Sequence, residues 1–580
     1  MLFIITAASP LPIFGQTQTP LYGGTLRVAY KEDPISFNTV LNYWTTTVFI
    51  ADNVYDRLLT FDKNYQLVGD LAQSWESTPD GKTWTFHLYK NVTWHDGVPF
   101  TSADVKFHYE LMIQQQSWDA TYFSGLQSID TPDNYTVIFR SSIPIPPTET
   151  FASCCGGDSL ILPKHIYEGT NITSNPANWM PIGTGPFKVV EYVKDDHVTL
   201  VANDHYFKGR PYLDKVIFLI IPSQQTAELA FQNGQVDSIH ESISLPIADI
   251  PTWEKTPGVT LNSKHSTGSW RLTFNFRPKA QEKFPWLKDV RVRQAIAYAI
   301  DKQSIINTVF GGLALSVDTA ISPVIKWAYD PNAPTYPYNV TKANQLLDEA
   351  GYKRGSDGWR FHAPLPAYQR SSNFIEIIKS QLAAVGIDVT IQLIDDTTFY
   401  SLYETSATGA GDDIPFVIQT MGTGPEPSPA LMAWLYSRPI GDSNTGFYSN
   451  PEVDRLLNES GATTDLNVRV QDYYKIQEIV NNDCGFVFLW NSPIVEVYKN
   501  EFVWGDTNLP AAWASNYRLV WWTKGQASTA APMTETSETT MTTTPAPTGG
   551  YDMTTVAAAI FVLVVVLAGI GFYMSRRKKK

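Results

Sequence analysis

Cysteine is nearly absent from this chain: 580 residues hold three, Cys154, Cys155 and Cys484. Their spacing fits no metal-ligand pattern, and so few thiols exclude a disulfide-built scaffold. One bridge, from either of the adjacent pair to Cys484, stays open; adjacent cysteines join each other only under strain. Charge is scarce too. Asp, Glu, Lys and Arg make up 17% of residues, and the net charge is −14. No basic stripe precedes the last few residues, which argues against a nucleic-acid partner. His-Glu-x-x-His, Walker and dinucleotide motifs are missing, so no cofactor is expected. Internal repeats are lacking as well. A thinly charged exterior suits an acidic medium, where carboxylates are neutral.

What is plentiful is aromatic. Phe, Trp and Tyr form 13% of the chain, and many fall in Leu71–Glu110: LAQSWESTPDGKTWTFHLYKNVTWHDGVPFTSADVKFHYE. Asp80-Gly81 is a turn signal between Ser74–Glu76 and Thr83–Leu88, which predicts a β-hairpin. Trp84, Phe86 and Leu88 alternate with Thr85 and His87, so one face is buried. A second turn follows at His95-Asp96-Gly97. Thr101 or Ser102 then caps a helix carrying Val105, Phe107, Tyr109 and Leu111. The tryptophans of this stretch read as core.

The run SWE…DGKTWTFHLYKNVTWHDGVPFTSADVKF closely resembles the peptide- and nickel-binding class of solute receptors for ABC importers, the oligopeptide- and dipeptide-binding protein family. Pro181–Phe218, containing GTGPFKVVEYVKDDHVTLVANDHYFKGRPYLDKVIF, resembles the family's return to its first lobe. Gly183 and Gly185 there permit close backbone approach. LILPKHIYEG resembles the family's Leu-Pro-Lys-His segment, and Trp270–Phe276 its hinge strand. Beyond the hinge, DVRVRQAIAYAIDKQSIINTVFGG predicts two helices, with Val292, Ala295, Ile296 and Ala299 as an apolar stripe and Asp301 as the second cap. In NFIEIIKSQLAAVGIDVTIQLI, Gly386 ends a helix and Val389–Leu393 alternates as a strand, which predicts parallel α/β layering.

The resemblance implies an α/β, periplasmic-binding-protein-like fold: two α/β lobes around a cleft plus an inserted third lobe. Residues 22–59, 181–264 and 490–524 are expected to form lobe I, 60–180 the insert (lobe II) and 265–489 lobe III. Ligand would sit between lobes I and III. Tyr43, Trp44, Ser269, Trp270, Trp490 and Asn491 are the cleft-edge candidates. Peptide receptors of this family carry a Trp/Asp segment before an acidic-Pro pair, and that Asp holds the peptide's amino terminus. Here the run is PFVIQTMGTGPEPSPALM. If Glu426-Pro427 is the acidic-Pro pair, Thr423 stands where the Asp would be and Thr420 or Met421 where the Trp would be. Met421, Thr423 and Glu426 therefore join the ligand-binding candidates. A buried ammonium without a counter-charge costs several kcal/mol, which weakens a peptide reading unless Glu426 substitutes. A neutral, aromatic-rich site suits sugars, so an oligosaccharide is favoured over a peptide.

Both ends carry signals. Residues 1–16 read as a signal segment, apolar over Leu2–Phe14 but without a basic start. Residues 526–550 form a Thr/Pro-rich stalk. Thr554–Met574 is apolar and long enough to span about 30 Å of hydrocarbon as a helix. The basic tail 575–580 places the C-terminus in the cytoplasm and all before the stalk outside the cell. Asn91, Asn134, Asn171, Asn339 and Asn458 open sequons. Together these features look like the archaeal, membrane-anchored form of the receptors.

Enzymatic readings are weak. Gly157-Asp158-Ser159-Leu160 and Asp237-Ser238-Ile239-His240 spell the blocks of a GDSL esterase, but the first sits mid-chain rather than opening a domain. Asp195-Asp196, Asp395-Asp396 and Asp412-Asp413 read as turns. The chain is expected to be a monomeric, non-enzymatic receptor that captures an oligosaccharide or oligopeptide by hinge closure and passes it to ABC permease subunits and their ATPases. A stalked adhesin or envelope protein, or less readily an anchored hydrolase, is the alternative.

Overall fold

The structure, a computed structural model, describes residues 19–41, 45–62, 64–152, 159–243, 245–399, 410–422, 424–437, 444–463, 465–504, 517–524 and 526–527. The leader, nearly all of the stalk, the 554–574 segment and the basic tail lie outside the described residues, as do Tyr43, Trp44, Thr423, Cys154 and Cys155. Among the described residues no helix is long and apolar enough to cross a membrane.

Three sheets carry the architecture. A seven-stranded sheet runs in the order Val259–His265, Pro493–Lys499, Ser238–Ile239, Thr25–Tyr30, Lys215–Ile220, His197–Ala202, Phe187–Val193. Its centre is parallel: Thr25–Tyr30 pairs in parallel with Lys215–Ile220 on one side and Ser238–Ile239 on the other. A six-stranded sheet has the order Leu315–Ser316, Phe486–Asn491, Gly268–Phe274, Phe416–Gly422, Phe361–Tyr368, Ile387–Ile394. Here Phe361–Tyr368 is parallel to both Ile387–Ile394 and Phe416–Gly422. Apolar clusters lie against it, one with the Val290–Ala299 and Ile375–Ala384 helices and another with Pro427–Leu435 and Leu466–Asp483. The third sheet is the insert's: Ala72–Ser77, Thr83–Leu88, Thr136–Ser141 and Leu126–Asp133, all antiparallel.

Local chemistry sets these elements. Gly81, at φ 63°, closes the turn between Ala72–Ser77 and Thr83–Leu88. Trp84, Phe86 and Leu88 all face inward. Thr101 and Asp104 form a capping box at the start of Ser102–Gln115. Asp301 accepts from Ser304 N to open the Lys302–Val309 helix, and Gly386 at φ 84° follows Ile375–Ala384.

The insert is not an independent body. Leu26, Val28 and Tyr30 of the first lobe share one apolar cluster with Trp84, Phe86, Phe139 and Phe151 of the insert. Two glycines fix the junction. A Cβ on Gly183 would lie 1.8 Å from Val54 O, and one on Gly185 2.6 Å from Val54 C. That proximity lets Gly185 N donate to Val54 O at 2.8 Å and Phe187 N to Asn53 O at 2.9 Å.

One sequence expectation changes. The lobe boundary at residue 490 moves to Ser492, because the whole Phe486–Asn491 strand belongs to the six-stranded sheet and Pro493–Lys499 to the seven-stranded one. Cys484 is a free thiol, buried in the core of lobe III just after Leu466–Asp483, and Cys154 and Cys155 lie outside the described residues.

Candidate functional site

The chain passes between the two large sheets at two neighbouring places, Ser266-Thr267 and Ser492. His265 pairs with Pro493 at one edge of the first sheet, and Gly268 starts the hinge strand of the other. These crossings sit at matching ends of the two sheets. In the first, the strands Thr25–Tyr30, Lys215–Ile220 and Ser238–Ile239 end there; in the second, Phe361–Tyr368, Ile387–Ile394 and Phe416–Gly422 do. Ligands of parallel α/β sheets bind outside carboxyl ends of strands, so these two rims define the candidate site.

Several expected site residues meet at the crossing. Ser269 lies opposite Met421, and Trp270 opposite both Thr420 and Trp490. The Trp270 indole N–H donates to Ser492 Oγ at 3.0 Å. Asn491 donates from Nδ2 to Gly268 O and accepts from Ser322 Oγ at 2.9 Å. The crossing is thus laced by side chains from both of its strands. The two tryptophans do not offer open faces. Trp270 is 6% exposed, with Phe374 edge-on at 4.8 Å, and Trp490 is fully buried between Phe310 and Phe374. Burial there is packing of lobe III rather than a stacking platform.

Glu426 lies elsewhere in its chemistry. Its carboxylate caps the Pro427–Leu435 helix through Ser428 N, pairs with Arg469 and accepts from Tyr473 Oη at 2.6 Å. That charge is already matched, so Glu426 is not the substitute counter-charge for an ammonium. Met421 is half-buried against the same cluster.

Two features escaped sequence reading. Arg370, exposed just beyond the end of Phe361–Tyr368, places its guanidinium 4.4 Å from the Tyr368 ring centre and 5.5 Å from that of Trp270. Its Nη2 donates to Thr420 Oγ1 at 2.9 Å. The aromatic faces and the hydroxyl hold a cation at the lobe III rim. Across the crossing, Glu241 follows Ser238–Ile239 beside Lys264 and Glu496, an ion pair at 3.4 Å. Burial and the neighbouring Glu496 push the Glu241 carboxyl up to about 8 against the pull of Lys264. His240 packs against Tyr30 at 4.9 Å and Phe49 at 4.6 Å, and its Nδ1 accepts from Ser242 N at 3.0 Å. Burial holds it neutral, with its pKa down at about 4. Neither Arg370 nor Glu241 belongs to a motif; the only local signal is a single charge in a neutral stretch just past a strand.

The esterase blocks acquire other roles. Asp237 binds Arg27 at 2.8 and 2.7 Å and Lys499 at 2.9 Å, and Ser159 and His240 are both buried. Among the described residues no group of three or more His, Cys, Asp or Glu is placed to hold a metal ion.

Residues 66–442 match the profile of the bacterial extracellular solute-binding proteins, family 5 (middle). The chain belongs to this family. Heme-binding protein A from Haemophilus influenzae is 29% identical over 463 residues, covering 75% of this chain and 81% of that protein. The oligopeptide-binding protein AppA of Bacillus subtilis is 27% identical, over 81% of this chain and 87% of its own. The dipeptide-binding protein of Escherichia coli is also 27% identical, over 82% and 91%. In structure, the ABC transporter substrate-binding protein CtaP of Listeria monocytogenes superposes with a TM-score of 0.75 at 24% identity, covering 87% of this chain and all of that one. Bacillus subtilis AppA in complex with a nonapeptide gives 0.64 at 25% identity, with 87% and 100% covered. The family-5 chain is therefore a substrate-binding receptor of the kind that serves ABC transporters, and its two blocks of resemblance, Leu71–Glu110 and Pro181–Phe218, both fall inside the matched span.

Proposed function

We propose that this receptor captures a short peptide outside the cell, closes about the Ser266-Thr267 and Ser492 crossings, and delivers it unaltered to an ABC permease. Relatives named for oligopeptide and dipeptide binding carry the reading. Arg370, held against Tyr368 and Trp270 at the cleft rim, is the side chain that a peptide's carboxylate would meet. Thr554–Met574 would anchor the receptor by one membrane span, with its binding lobes outside and the stalk as an extended tether. The sequons would then face a glycosylating exterior.

An oligosaccharide is the second reading. It is favoured by Trp179, 43% exposed and stacked within 5° of parallel on Tyr192 at 5.5 Å, an open aromatic face on the first lobe's edge strand. Thermal melts of the detergent-solubilised full chain with peptides and with malto-, cello- and xylo-oligosaccharides separate the two. A ligand at a hundred times its Kd stabilises by about 2.7 kcal/mol. Stabilisation by peptides with free carboxylates supports the proposal; stabilisation by sugars alone refutes it.

A further inference from the structure

We propose that a small cavity at the back of lobe III, walled by Arg277, Thr273 and Thr445, binds a monatomic anion such as chloride. The site lies at the end of the six-stranded sheet away from the crossings, where Phe274 pairs with Phe416. At the other end of the same two strands Gly268 pairs with Gly422. The cavity is therefore separate from the cleft and independent of what the cleft holds.

Arg277 makes the site. The residue is only 7% exposed, and among the described residues its guanidinium has neither a hydrogen bond nor an ion pair. It lies against the Phe447 ring, 4.3 Å from its centre. It also covers Gly411, where an added Cβ would collide with Arg277 Nη1, so the close approach requires glycine. An arginine keeps its charge whatever surrounds it. Contact with an aromatic face offsets part of the cost of burying that charge, and a counter-ion supplies what the ring does not. The neighbouring acids are already matched. Asp412 meets Lys279 Nζ at 3.0 Å, and Asp413 meets Lys283 Nζ at 2.8 Å, both lysines on the helix Pro278–Lys283 that follows Arg277. Burial lowers the pKa of Arg277, and the attraction of Asp412 opposes that only in part.

The rest of the lining offers donors and apolar walls. Asn275 donates from Nδ2 to Gly411 O at 2.6 Å and to Ile414 O at 2.8 Å, which holds those two carbonyls. Thr273 and Thr445 both accept from Gln419 Nε2, at 3.1 and 2.9 Å, so each hydroxyl keeps its own proton to give. The Gln419 carbonyl oxygen, buried without a hydrogen bond, is not part of the lining. Phe416 and Val417 complete the wall. A guanidinium and two hydroxyls converge where no carboxylate does, and such a set suits an anion. The cavity measures about 10 Å³, room for one water-sized guest, which admits a halide and excludes a larger oxyanion. An anion there would join the segment after the hinge strand to the loop that carries Thr445 and Phe447.

Thermal melts of the full chain in detergent, with sodium gluconate exchanged stepwise for sodium chloride at constant ionic strength, test this. The midpoint should rise with chloride, each tenfold increase well above its Kd adding about 1.4 kcal/mol, and bromide should act alike. Arg277→Gln, which keeps an N–H donor and removes the charge, should lose that dependence. An equal response of both proteins is a general salt effect and overturns the proposal. Crystals of the unaltered chain grown in sodium bromide give a readout that needs no variant, and so keep the test decisive if Arg277→Gln misfolds. An anomalous peak in the cavity beside Arg277 is expected. Density there without an anomalous signal would be a water, and overturns the proposal. A peak with no chloride dependence of the melt marks an adventitious ion only, and overturns it as well.

Discussion

Arg370 and Tyr368 stand two residues apart at the end of one strand, yet the guanidinium folds back to within 4.4 Å of the Tyr368 ring centre. With Thr420 Oγ1 at 2.9 Å and the Trp270 ring at 5.5 Å, three side chains from three neighbouring strands fix one exposed cation. Fixing it beforehand reduces the ordering that ligand binding must impose.

Arg370→Ala should therefore weaken peptide binding without loosening the fold. Hydrogen bonds to charged groups are worth about 1.5–3 kcal/mol, so Kd should rise about tenfold to a hundredfold. The side chain is exposed, and the melting transition should move by less than about 0.5 kcal/mol. A peptide whose carboxylate is amidated should bind both proteins equally. Equal loss for amidated and free peptide would assign Arg370 a packing role instead.

The pair Glu426 and Arg469 makes the opposite prediction. Glu426→Ala leaves Arg469 buried beside Tyr473 and Trp327 without its carboxylate, and removing one partner of a buried pair typically costs about 3–5 kcal/mol. Chemical denaturation should show that loss, while the folded fraction binds peptide as before. A stable variant with weakened peptide affinity would return Glu426 to the binding site.

The division between what was readable and what was not follows from range. Turns and caps are local, and Asp80-Gly81, Thr101, Asp301 and Gly386 all act within a few residues of themselves. The glycines at 183 and 185 were recognisable as close-approach positions, though their partner, Val54, lies far back in the chain. The family resemblance places Trp270 and Trp490 at the cleft edge, the first where the hinge strand begins and the second where a strand returns to the first lobe. Which way they point depends on how Phe486–Asn491 pairs with Gly268–Phe274, including an irregularity between Trp270 and Arg271. That pairing turns both rings into the lobe. Arg370 carries no motif, and its neighbours Thr420 and Trp270 come from separate strands. The oligosaccharide preference follows from one loop without an acid and from the wealth of aromatic residues, and neither fixes what surrounds a ligand.

Stability should respond to pH in a direction set by buried groups. Asp56 accepts from Thr184 Oγ1 and Tyr206 Oη, both at 2.8 Å, and burial followed by repulsion from Asp70 raises its pKa to about 7, against the pull of Lys208. Burial and Glu496 raise Glu241 to about 8, and burial and Glu459 raise Asp472 to about 6. An acid whose folded pKa is raised binds its proton more tightly when folded. Its contribution is complete below the unfolded pKa and lost as pH rises through the folded one. His95 and His240 run the other way: burial lowers both to about 4, so their contribution is present above the ordinary histidine value and lost as pH falls toward 4. Between pH 8 and 6.5 the raised acids titrate, joined by His197 and His362, which hydrogen bonds to Asp196 and to Asp388 raise above the ordinary histidine value; both groups gain as protons bind, and Tm should climb as the medium is acidified. Below that His95 and His240 oppose them and the climb should flatten. Asp56→Asn should remove part of the slope. A Tm that falls between pH 8 and 6.5 would contradict the assignment.

Gly183→Ala probes the seam between insert and first lobe. The added Cβ would meet Val54 O at 1.8 Å and Val54 C at 2.6 Å, both backbone atoms that no rotamer change can move. Gly183 O also accepts from His95 N at 2.8 Å, so relief by shifting the glycine strains a second contact on the insert side. Overpacking typically costs about 1–3 kcal/mol, and a backbone obstacle places this substitution at the upper end. Gly97→Ala is the control: it has a positive φ of 90° but no atom within 4 Å of its Cβ, so it should show conformational strain without overpacking. Because Leu26 and Val28 share one apolar cluster with Trp84 and Phe86, the Gly183→Ala loss should appear as a lower midpoint of a single transition spanning both bodies. A separate early transition of the insert, with the first lobe's melting unchanged, would mean that the shared core does not couple them.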